Sequence, residues 1–264
     1  DTATAQRDKI AIQQKEIMDS IYYAQRIQRS MLPSREILEK LLPEHFVLFK
    51  PRDIVSGDFY WAAEQNNSIY FTASDCTGHG VPGAFMSMLG IGFLNEILNK
   101  VNDIEPNEIM NLLRNNLIEA LHQKGESGEN KDGMDMVMCR FDPKEMNLTF
   151  ASANNPLYHF SKGELNRYKG DSMPVAIHEN MDPFNLKKIK VSKGDRVYLF
   201  SDGYADQFGG PKSKKLMSKR FREMILSTME ENMSRQGELL DIAFVEWKGD
   251  IEQVDDVVVI GIQF

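Results

Sequence analysis

From about Glu44 onward the chain alternates short β-rich runs with helices that come in pairs, and this order constrains the fold more than any other feature. Runs such as 45–50 and 68–74 end at turn residues, and helical periodicity then marks 82–100 and a segment from Pro106 to before Gly125. Further strands are predicted at 58–63, 134–141, 148–153, 157–161, 164–168, 186–191, 196–201 and 257–263, and further helices at 215–230 and 236–248. Antiparallel-looking strands with helices inserted in pairs predict an α+β layered domain, because a parallel sheet would alternate strand and helix. The polar, Gly-rich segment 125–133 is predicted to be a loop.

A separate helix precedes this domain. Residues 6–32 contain neither Gly nor Pro, and Pro33 ends the segment. Apolar residues recur at intervals of seven along it, at Ile10, Ile17, Ala24 and Met31. Glutamines occupy the intervening positions Gln14 and Gln28, so the seam is only partly apolar. This pattern is typical of a short, imperfect coiled coil that dimerises or transmits a signal, and also of a helix docked on its own domain. It divides the chain into a helical linker, 1–33, and a folded domain, 34–264.

Composition excludes several classes of function. The 264 residues are 42% hydrophobic and 27% charged, as in a soluble globular protein, and the net charge of −8 argues against nucleic-acid binding. Two cysteines, Cys76 and Cys139, are too few for a disulfide framework, which favours a cytoplasmic setting. No run of eighteen apolar residues occurs, so no membrane span is expected. Because the chain begins at Asp1 without a signal-peptide pattern, we expect a piece of a longer protein, such as the cytoplasmic portion of a sensor.

Four aspartates stand beside a glycine or at the end of a predicted strand: Asp58, Asp75, Asp202 and Asp255. An aspartate that ends an apolar strand lies exposed in a turn, is paired, or binds a cation, because burial of an unpaired carboxylate is costly. Each Asp-Gly pair alone can be a simple turn. Together the four carry a formal charge of −4, which two divalent cations would balance, and without cations they would raise the pKa of at least one member. Oxygen-only ligands favour Mg²⁺ or Mn²⁺, so the residues predict an oxygen-ligated metal site.

The same positions carry a resemblance to a known family. The chain resembles the bacterial metal-dependent serine/threonine protein phosphatases (type 2C, PPM) of the SpoIIE and RsbU branch, on motifs that occur in the order Gly57-Asp58-Phe59-Tyr60, Asp75-Cys76-Thr77-Gly78-His79-Gly80-Val81-Pro82, Ser201-Asp202-Gly203 and Asp255-Asp256. Further similarity lies in Gly133-Met134-Asp135-Met136, in Ala153-Asn154-Asn155-Pro156-Leu157 and in Asp206-Gln207-Phe208-Gly209-Gly210. The resemblance covers roughly residues 44–264, and the N-terminal helix is similar to the linker that precedes such domains in sensor proteins. Two positions depart from the branch, Ser56 where Gly is usual and Val258 where Thr is common, and neither is a proposed ligand.

The resemblance implies a two-sheet antiparallel β-sandwich flanked by helices, with two, or at most three, Mn²⁺ or Mg²⁺ ions at one edge. Asp75 would bridge two ions, and the backbone carbonyl of Cys76 would complete the first ion's shell. Asp202 and Asp255 would hold the second ion, while Asp58 would support the first ion directly or through water. Asp135 and Asp256 are expected to support these ligands or to be structural.

In that family's chemistry, a water held between ions about 3.5–4 Å apart attacks the phosphorus atom. It displaces the serine or threonine oxygen from the opposite side, in an in-line reaction. The catalytic candidates are Asp75 and His79, the latter either a general acid for the leaving oxygen or a structural turn histidine. The implied partner is a phosphorylated protein, of which an anti-sigma-factor antagonist is one kind, and a homodimer would form through the N-terminal helix. The basic run Lys212, Lys214, Lys215, Lys219 and Arg220 is either a solvated face or a surface for that partner.

Two other functions compete with a phosphatase acting as the output domain of a bacterial signalling protein. A decayed, non-enzymatic phosphatase-like module would have lost a ligand aspartate, and none is lost. Another two-metal phosphohydrolase, acting on nucleotides or a phosphodiester, is disfavoured by the acidic composition and by the lack of a Gly-rich nucleotide cradle.

Overall fold

Two antiparallel sheets form the centre of the folded domain. The computed structural model describes residues 2–126 and 131–264, so residues 127–130 of the predicted loop lie outside the described residues. The helices are α1 (Thr2–Met31), α2 (Arg35–Leu41), α3 (Gly80–Lys100), α4 (Pro106–Ala120), α5 (Gly203–Asp206), α6 (Met217–Ser227) and α7 (Met233–Lys248). The strands are β1 (Glu44–Lys50), β2 (Phe59–Gln65), β3 (Ser68–Cys76), β4 (Met134–Asp142), β5 (Asn147–Ala153), β6 (Leu157–Ser161), β7 (Glu164–Tyr168), β8 (Lys187–Lys190), β9 (Arg196–Phe200), β10 (Phe208–Gly209), β11 (Lys214–Lys215) and β12 (Val257–Gln263).

The strands pair as two five-stranded sheets and one small hairpin. The first sheet has the order β1-β12-β9-β6-β7 and the second has the order β2-β3-β4-β5-β8, while β10 pairs only with β11. All ladders between neighbouring strands in the two large sheets are antiparallel. The predicted two-sheet antiparallel sandwich is therefore confirmed.

Three apolar clusters hold the layers together. The middle cluster lies between the sheets and joins residues such as Phe71 and Val137 to Leu199 and Ile260. A second packs α3 and α4 on the outer face of one sheet, and a third packs α6 and α7 on the outer face of the other. Since both faces of the central strands are covered, β12 reads as the continuous apolar run Val-Val-Val-Ile instead of alternating polar and apolar residues.

Helix α1 ends at Met31, as the following Pro33 predicts. Its first eighteen described side chains, 3–20, are exposed, whereas Ala24, Gln25 and Gln28 approach the domain. The next helix, α2, was not predicted. Ser34 caps it by accepting a hydrogen bond from the Ile37 N–H, and a single buried residue, Leu38, anchors it.

Helix α3 is long and apolar enough, by length and composition, to cross a membrane. Half of the relevant window is buried inside the domain, and residues such as Ile91 and Leu94 belong to its core. The helix therefore has the character of a core helix, and its apolar content follows from packing against α4 and the sheet.

Candidate metal centre

The four aspartates lie at one edge of the sandwich because they stand at the ends of neighbouring strands. Asp58 directly precedes β2, and Asp75 is the next-to-last residue of β3, which pairs with β2. Asp202 follows β9 within two residues, and Asp255 precedes β12, which pairs with β9. Each sheet thus contributes two carboxylates, and antiparallel pairing brings the start of one strand beside the end of its neighbour.

Three of these carboxylates line one cavity of about 240 Å³, namely Asp75, Asp202 and Asp255. The remaining lining residues are Cys76, Thr77, Gly78, His79, Met134, Asp135 and Pro174. Among the described residues, the lining of the cavity therefore contains four acidic side chains and no lysine or arginine. Such a lining favours a cationic ligand over an anionic one.

Asp58 lies buried next to this cavity and is 2% exposed. None of the residues that the structure describes forms a hydrogen bond with its Oδ2 atom. Burial raises the pKa of Asp58 well above its ordinary value, the negative charge of Asp75 raises it further, and a hydrogen bond from Ser201 acts in the opposite direction. A buried carboxylate oxygen without a partner is costly unless a cation or a proton satisfies it.

Asp75 and Asp202 influence each other directly. Burial raises the pKa of Asp75 well above its ordinary value, with further contributions from the charges of Asp202 and Asp255. The Asp202 backbone N–H donates to the Asp75 carboxylate and partly offsets this. Burial, followed by the charges of Asp206 and Asp255, also raises the pKa of Asp202. Mutual repulsion of this kind is relieved when divalent cations bind.

The donor set fits hard divalent cations, since the cavity offers carboxylate and carbonyl oxygens and the buried oxygen of Asp58 lacks a partner. Within residues 2–126 and 131–264, no three His, Cys, Asp or Glu side chains already form a coordinating group. Asp75, Asp202 and Asp255 line one cavity, and the negative charge of Asp75 acts on the buried Asp58, which relates the four carboxylates in space. Which of them bind metal stays a prediction.

Asp256 and Asp135 support the rim of the site. The Asp256 carboxylate accepts hydrogen bonds of 2.7 Å from the backbone N–H groups of Arg52 and Gly57, which fixes the loop that leads to Asp58. Asp135 lines the cavity and accepts a 2.8 Å hydrogen bond from Nδ2 of Asn154, a residue held at φ +54°. That either carboxylate supports a metal ligand stays a prediction.

His79 lies at the mouth of the cavity and precedes α3. Its Nδ1 atom is 3.0 Å from Oδ2 of Asp53, a residue of the loop between β1 and β2. Asp53 could not be selected from the sequence, because the contact joins residues 26 positions apart and Asp53 has no motif of its own. Only the packing of two loops brings the pair together.

A family model described as Stage II sporulation protein E (SpoIIE) matches residues 65–264, which is most of the chain. The chain belongs to the SpoIIE family. Phosphoserine phosphatase RsbU of Bacillus subtilis (strain 168) is 26% identical over 200 residues, which cover 73% of this chain and 55% of RsbU. This SpoIIE-family chain therefore spans about half the length of that curated relative.

Solved structures agree with this membership. The SiaA-PP2C domain of Pseudomonas aeruginosa is 31% identical, with a TM-score of 0.85 over 95% of this chain and 98% of that chain. The catalytic domain of the serine threonine protein phosphatase PstP, solved in complex with 2 manganese ions, is 16% identical, with a TM-score of 0.60 over 83% of this chain and 96% of that chain. At that identity the PstP likeness shows a shared fold alone.

Close backbone packing holds the site of this SpoIIE-family domain in place. A Cβ atom on Gly57 would lie 2.4 Å from the carbonyl oxygen of Gly78, and one on Gly83 would lie 2.3 Å from the same oxygen. The loop before Asp58, the turn after Asp75 and the start of α3 therefore meet at a point where no side chain fits. The Cys76 thiol is buried, and burial raises its pKa well above the ordinary value, which disfavours the nucleophilic thiolate form.

The linker helix of this SpoIIE-family chain is bonded to the loop of the metal centre. Gln28 is buried, and its Nε2 donates to the Ser56 carbonyl at 2.6 Å and to the Ser87 hydroxyl at 2.8 Å. The Ser56 N–H donates back to Gln28 Oε1 at 3.1 Å. Gln25 Nε2 donates to the Ile54 carbonyl at 2.7 Å. The polar interruption of the seam at Gln28 is thus a docking contact with the protein's own domain.

The basic run after Asp202 folds as a small hairpin followed by α6 in this SpoIIE-family domain. Lys215 Nζ bonds to Asp206 Oδ2 at 2.7 Å, and the charge of Lys215 lowers the pKa of Asp202. Lys212 and Lys214 are exposed on the same hairpin, and Arg220 stacks over the Trp247 ring at 4.3 Å. The hairpin therefore places positive charge beside the acidic cavity.

Proposed function

We propose that this chain is a metal-dependent serine/threonine protein phosphatase domain and the output domain of a bacterial signalling protein. Membership of the SpoIIE family and the 26% identity to the phosphoserine phosphatase RsbU support the reaction. The observation that carries the proposal is the buried Asp58, whose Oδ2 lacks a partner next to a cavity lined by Asp75, Asp202 and Asp255. All carboxylates of the proposed ligand set are present, which favours an enzyme over a binding module.

The proposed metal ligands divide between two sites. Asp75, the carbonyl of Cys76 and Asp58 would hold one Mn²⁺ or Mg²⁺ ion, with Asp58 acting directly or through water. Asp202, Asp255 and Asp75 would hold a second, and Asp135 would support these ligands. The two manganese ions of PstP, which shares the fold, support two as the number. Bound cations would supply stabilisation of phosphoryl charge and a water that loses its proton near neutral pH.

Individual residues of the chain have separate roles in the proposed reaction. Asp75, shared by both sites, is the proposed central catalytic residue, because its replacement would disturb both cations at once. His79, at the cavity mouth, is the proposed general acid for the leaving serine or threonine oxygen. Asn154 and the loop contacts of Asp256 hold the surrounding carboxylates in position.

The proposed substrate is a phosphorylated protein in the cytoplasm, of the anti-sigma-factor-antagonist type that the RsbU-like branch implies. The exposed lysines of the hairpin, Lys212 and Lys214, offer a positive surface beside the cavity for the phosphorylated segment. A cavity of about 240 Å³ accommodates a phosphoryl group and the start of a side chain, so the rest of the substrate lies across the rim.

The proposed linker, 1–33, would form a homodimer through α1 and pass an upstream signal to the phosphatase domain, 34–264. Large apolar side chains exposed on α1 support this: Ile10, Ile12, Ile17, Met18, Tyr22, Tyr23 and Ile27. Sedimentation velocity of the chain and of an Ile10→Asp, Ile17→Asp variant tests the dimer. A monomer for the unaltered chain, at concentrations well above those used for assays, would refute it.

The test of the proposed activity is phosphate release from an aryl phosphate and from a phosphoserine protein. We expect release with Mn²⁺, none after chelation, and a loss of at least about 100-fold on Asp202→Asn. Release that survives both chelation and Asp202→Asn would overturn the metal-dependent reaction. No release from any substrate under any metal would favour the binding module.

A further inference from the structure

His79 and Asp53 form a pair at the rim of the cavity that the proposed metal ligands do not explain. The two side chains are 49% and 45% exposed, and their contact joins the β1–β2 loop to the turn before α3. Exposed ion pairs contribute about 0–1 kcal/mol to stability. Stability alone therefore gives little reason for this contact.

The local structure of His79 also argues against a purely structural turn histidine. His79 is the N-cap residue of α3, yet its side chain makes no capping hydrogen bond. The ring bonds to Asp53 instead, and it lines the cavity together with Asp75 and Asp202. Gly80 adopts φ +63°, and a Cβ there would lie 3.3 Å from Asp53 Oδ2, so the turn passes close to this carboxylate.

We propose that Asp53 is a positioning residue that orients His79 towards the leaving oxygen of the substrate, an assignment that rests on the proposed phosphatase function. An ionised carboxylate only accepts hydrogen bonds, so His79 Nδ1 carries the hydrogen in their contact. Nε2 is then the ring nitrogen left for the substrate. A histidine held by a carboxylate through its other nitrogen is a general arrangement for proton transfer.

In the proposed step, the serine oxygen leaves phosphorus and takes its proton from His79. The oxygen of a water that has lost one proton to solvent forms a bond to phosphorus, and the bond from phosphorus to the serine Oγ breaks with its electron pair on Oγ. The proton on Nε2 of the His79 imidazolium moves to Oγ, which yields serine and inorganic phosphate. His79, now neutral, regains a proton from solvent. Asp53 accepts the Nδ1 hydrogen bond throughout and exchanges no proton.

The dependence of the rate on the leaving group tests this assignment. The variants are Asp53→Asn, His79→Gln, their double variant and Asp53→Glu, with the exposed Asp250→Asn as matched control. Each is assayed in the full chain, at saturating Mn²⁺, on a phosphoserine peptide and on p-nitrophenyl phosphate. The nitrophenolate leaves readily without a proton, whereas the serine alkoxide does not.

On the phosphoserine peptide we expect kcat to fall about 100-fold or more for His79→Gln and about tenfold for Asp53→Asn, with KM little changed. The double variant should equal His79→Gln, because both substitutions act through one proton transfer. Asp53→Glu should recover part of the rate, and each variant should lose at least about tenfold less rate on p-nitrophenyl phosphate than His79→Gln loses on the phosphoserine peptide.

Equal losses on both substrates would overturn the assignment, because a structural role or a change in metal binding would not distinguish leaving groups. Unchanged rates on both would overturn it as well. If thermal unfolding of Asp53→Asn is not cooperative, that variant is not properly folded. Asp53→Glu, which keeps a carboxylate at this position, is then compared with the unaltered chain in its place. If the unaltered chain releases phosphate from neither substrate, the proposed function fails and this assignment falls with it.

Discussion

Gln28 on the linker helix donates a 2.6 Å hydrogen bond to the backbone carbonyl of Ser56, two residues before the buried Asp58. The same amide group bonds to Ser87 on α3 and accepts from the Ser56 N–H. A displacement of α1 would therefore change the position of the loop that carries Asp58 and of the helix that follows His79. The linker and the candidate metal centre are mechanically connected through one buried side chain.

Replacing Gln28 by Leu should weaken metal binding without removing a proposed ligand. The substitution removes the partner of the buried Ser56 N–H and leaves the Ser56 carbonyl with only the 3.2 Å hydrogen bond from the Ser87 hydroxyl. Loss of the partner of a buried donor costs about 1–3 kcal/mol of unfolding free energy. We expect a Mn²⁺ requirement about tenfold higher in aryl phosphate hydrolysis, since groups that support ligands affect metal affinity on this scale. Gln14→Leu, at an exposed seam position of the same helix, is the matched control. Equal Mn²⁺ dependence of the two variants would show that Gln28 has no such role.

Asp58→Asn should stabilise the metal-free protein at neutral pH. Burial raises the folded-state pKa of Asp58 above its ordinary value of 3.8, so the folded state binds the proton more tightly than the unfolded state. Stability of the unaltered chain therefore falls as pH rises from about 3.8 through the raised folded-state pKa, whereas the variant lacks this loss. In chelator, the melting temperature of Asp58→Asn should exceed that of the unaltered chain at neutral pH, and the difference should shrink towards acidic pH.

Saturating Mn²⁺ should reverse that difference at neutral pH, because a ligand that binds only the folded state stabilises it. A difference between Asp58→Asn and the unaltered chain that does not depend on pH would contradict the raised pKa. Thermal unfolding in matched buffers measures both effects.

Gly57→Ala should disrupt the site through backbone packing. The added Cβ would lie 2.4 Å from the Gly78 carbonyl oxygen, and overpacking of this kind costs about 1–3 kcal/mol. Gly92 in α3 has no atom within 4 Å of such a Cβ, so Gly92→Ala should gain about 0.5–1 kcal/mol. Denaturant unfolding of both variants is the measurement. If the two shift stability in the same direction, the close contact of these loops is not as described.

Substitution of Lys212 and Lys214 by Gln should affect a protein substrate but not a small one. Charges at the rim of a binding site act mainly on the rate at which a charged partner associates. KM for the phosphorylated protein should therefore rise about 3- to 10-fold at low salt and less at high salt. Aryl phosphate turnover should be unchanged. Lys144 lies in the turn that follows β4, and Lys162 lies in the turn that follows β6. Substitution of both residues by Gln is the control. An equal effect of both pairs would identify a general charge effect instead of a docking surface.

The sequence predicted those parts of the fold that local patterns determine. The end of α1 before Pro33, the pairs α3–α4 and α6–α7, and the strands of both sheets follow from periodicity and turn residues. Helix α2 was not predicted because it has seven residues and one buried side chain. A single buried residue does not produce a helical pattern of apolar positions in the sequence. The hairpin β10–β11 has two residues in each strand, and the predicted helix at 215–230 began where Lys215 instead pairs with Phe208.

For the candidate site, chain order identified the acidic residues but not what surrounds them. Asp58, Asp75, Asp202 and Asp255 stand at strand ends, a local feature that the sequence displays. The contacts of Asp53 with His79 and of Gln28 with Ser56 join residues 26 and 28 positions apart. No local pattern marks Asp53, and none indicates that Gln28 bonds to Ser56. Such contacts depend on how loops and helices pack, which no periodicity encodes.

Anomalous diffraction from crystals of the full chain grown with Mn²⁺ would locate the metal relative to the clustered carboxylates. We expect manganese peaks in the cavity, at coordinating distance from carboxylate oxygens of Asp75 and Asp202, and their loss in Asp202→Asn. Manganese bound only elsewhere, in crystals whose dissolved protein still releases phosphate in a Mn²⁺-dependent way, would contradict this expectation.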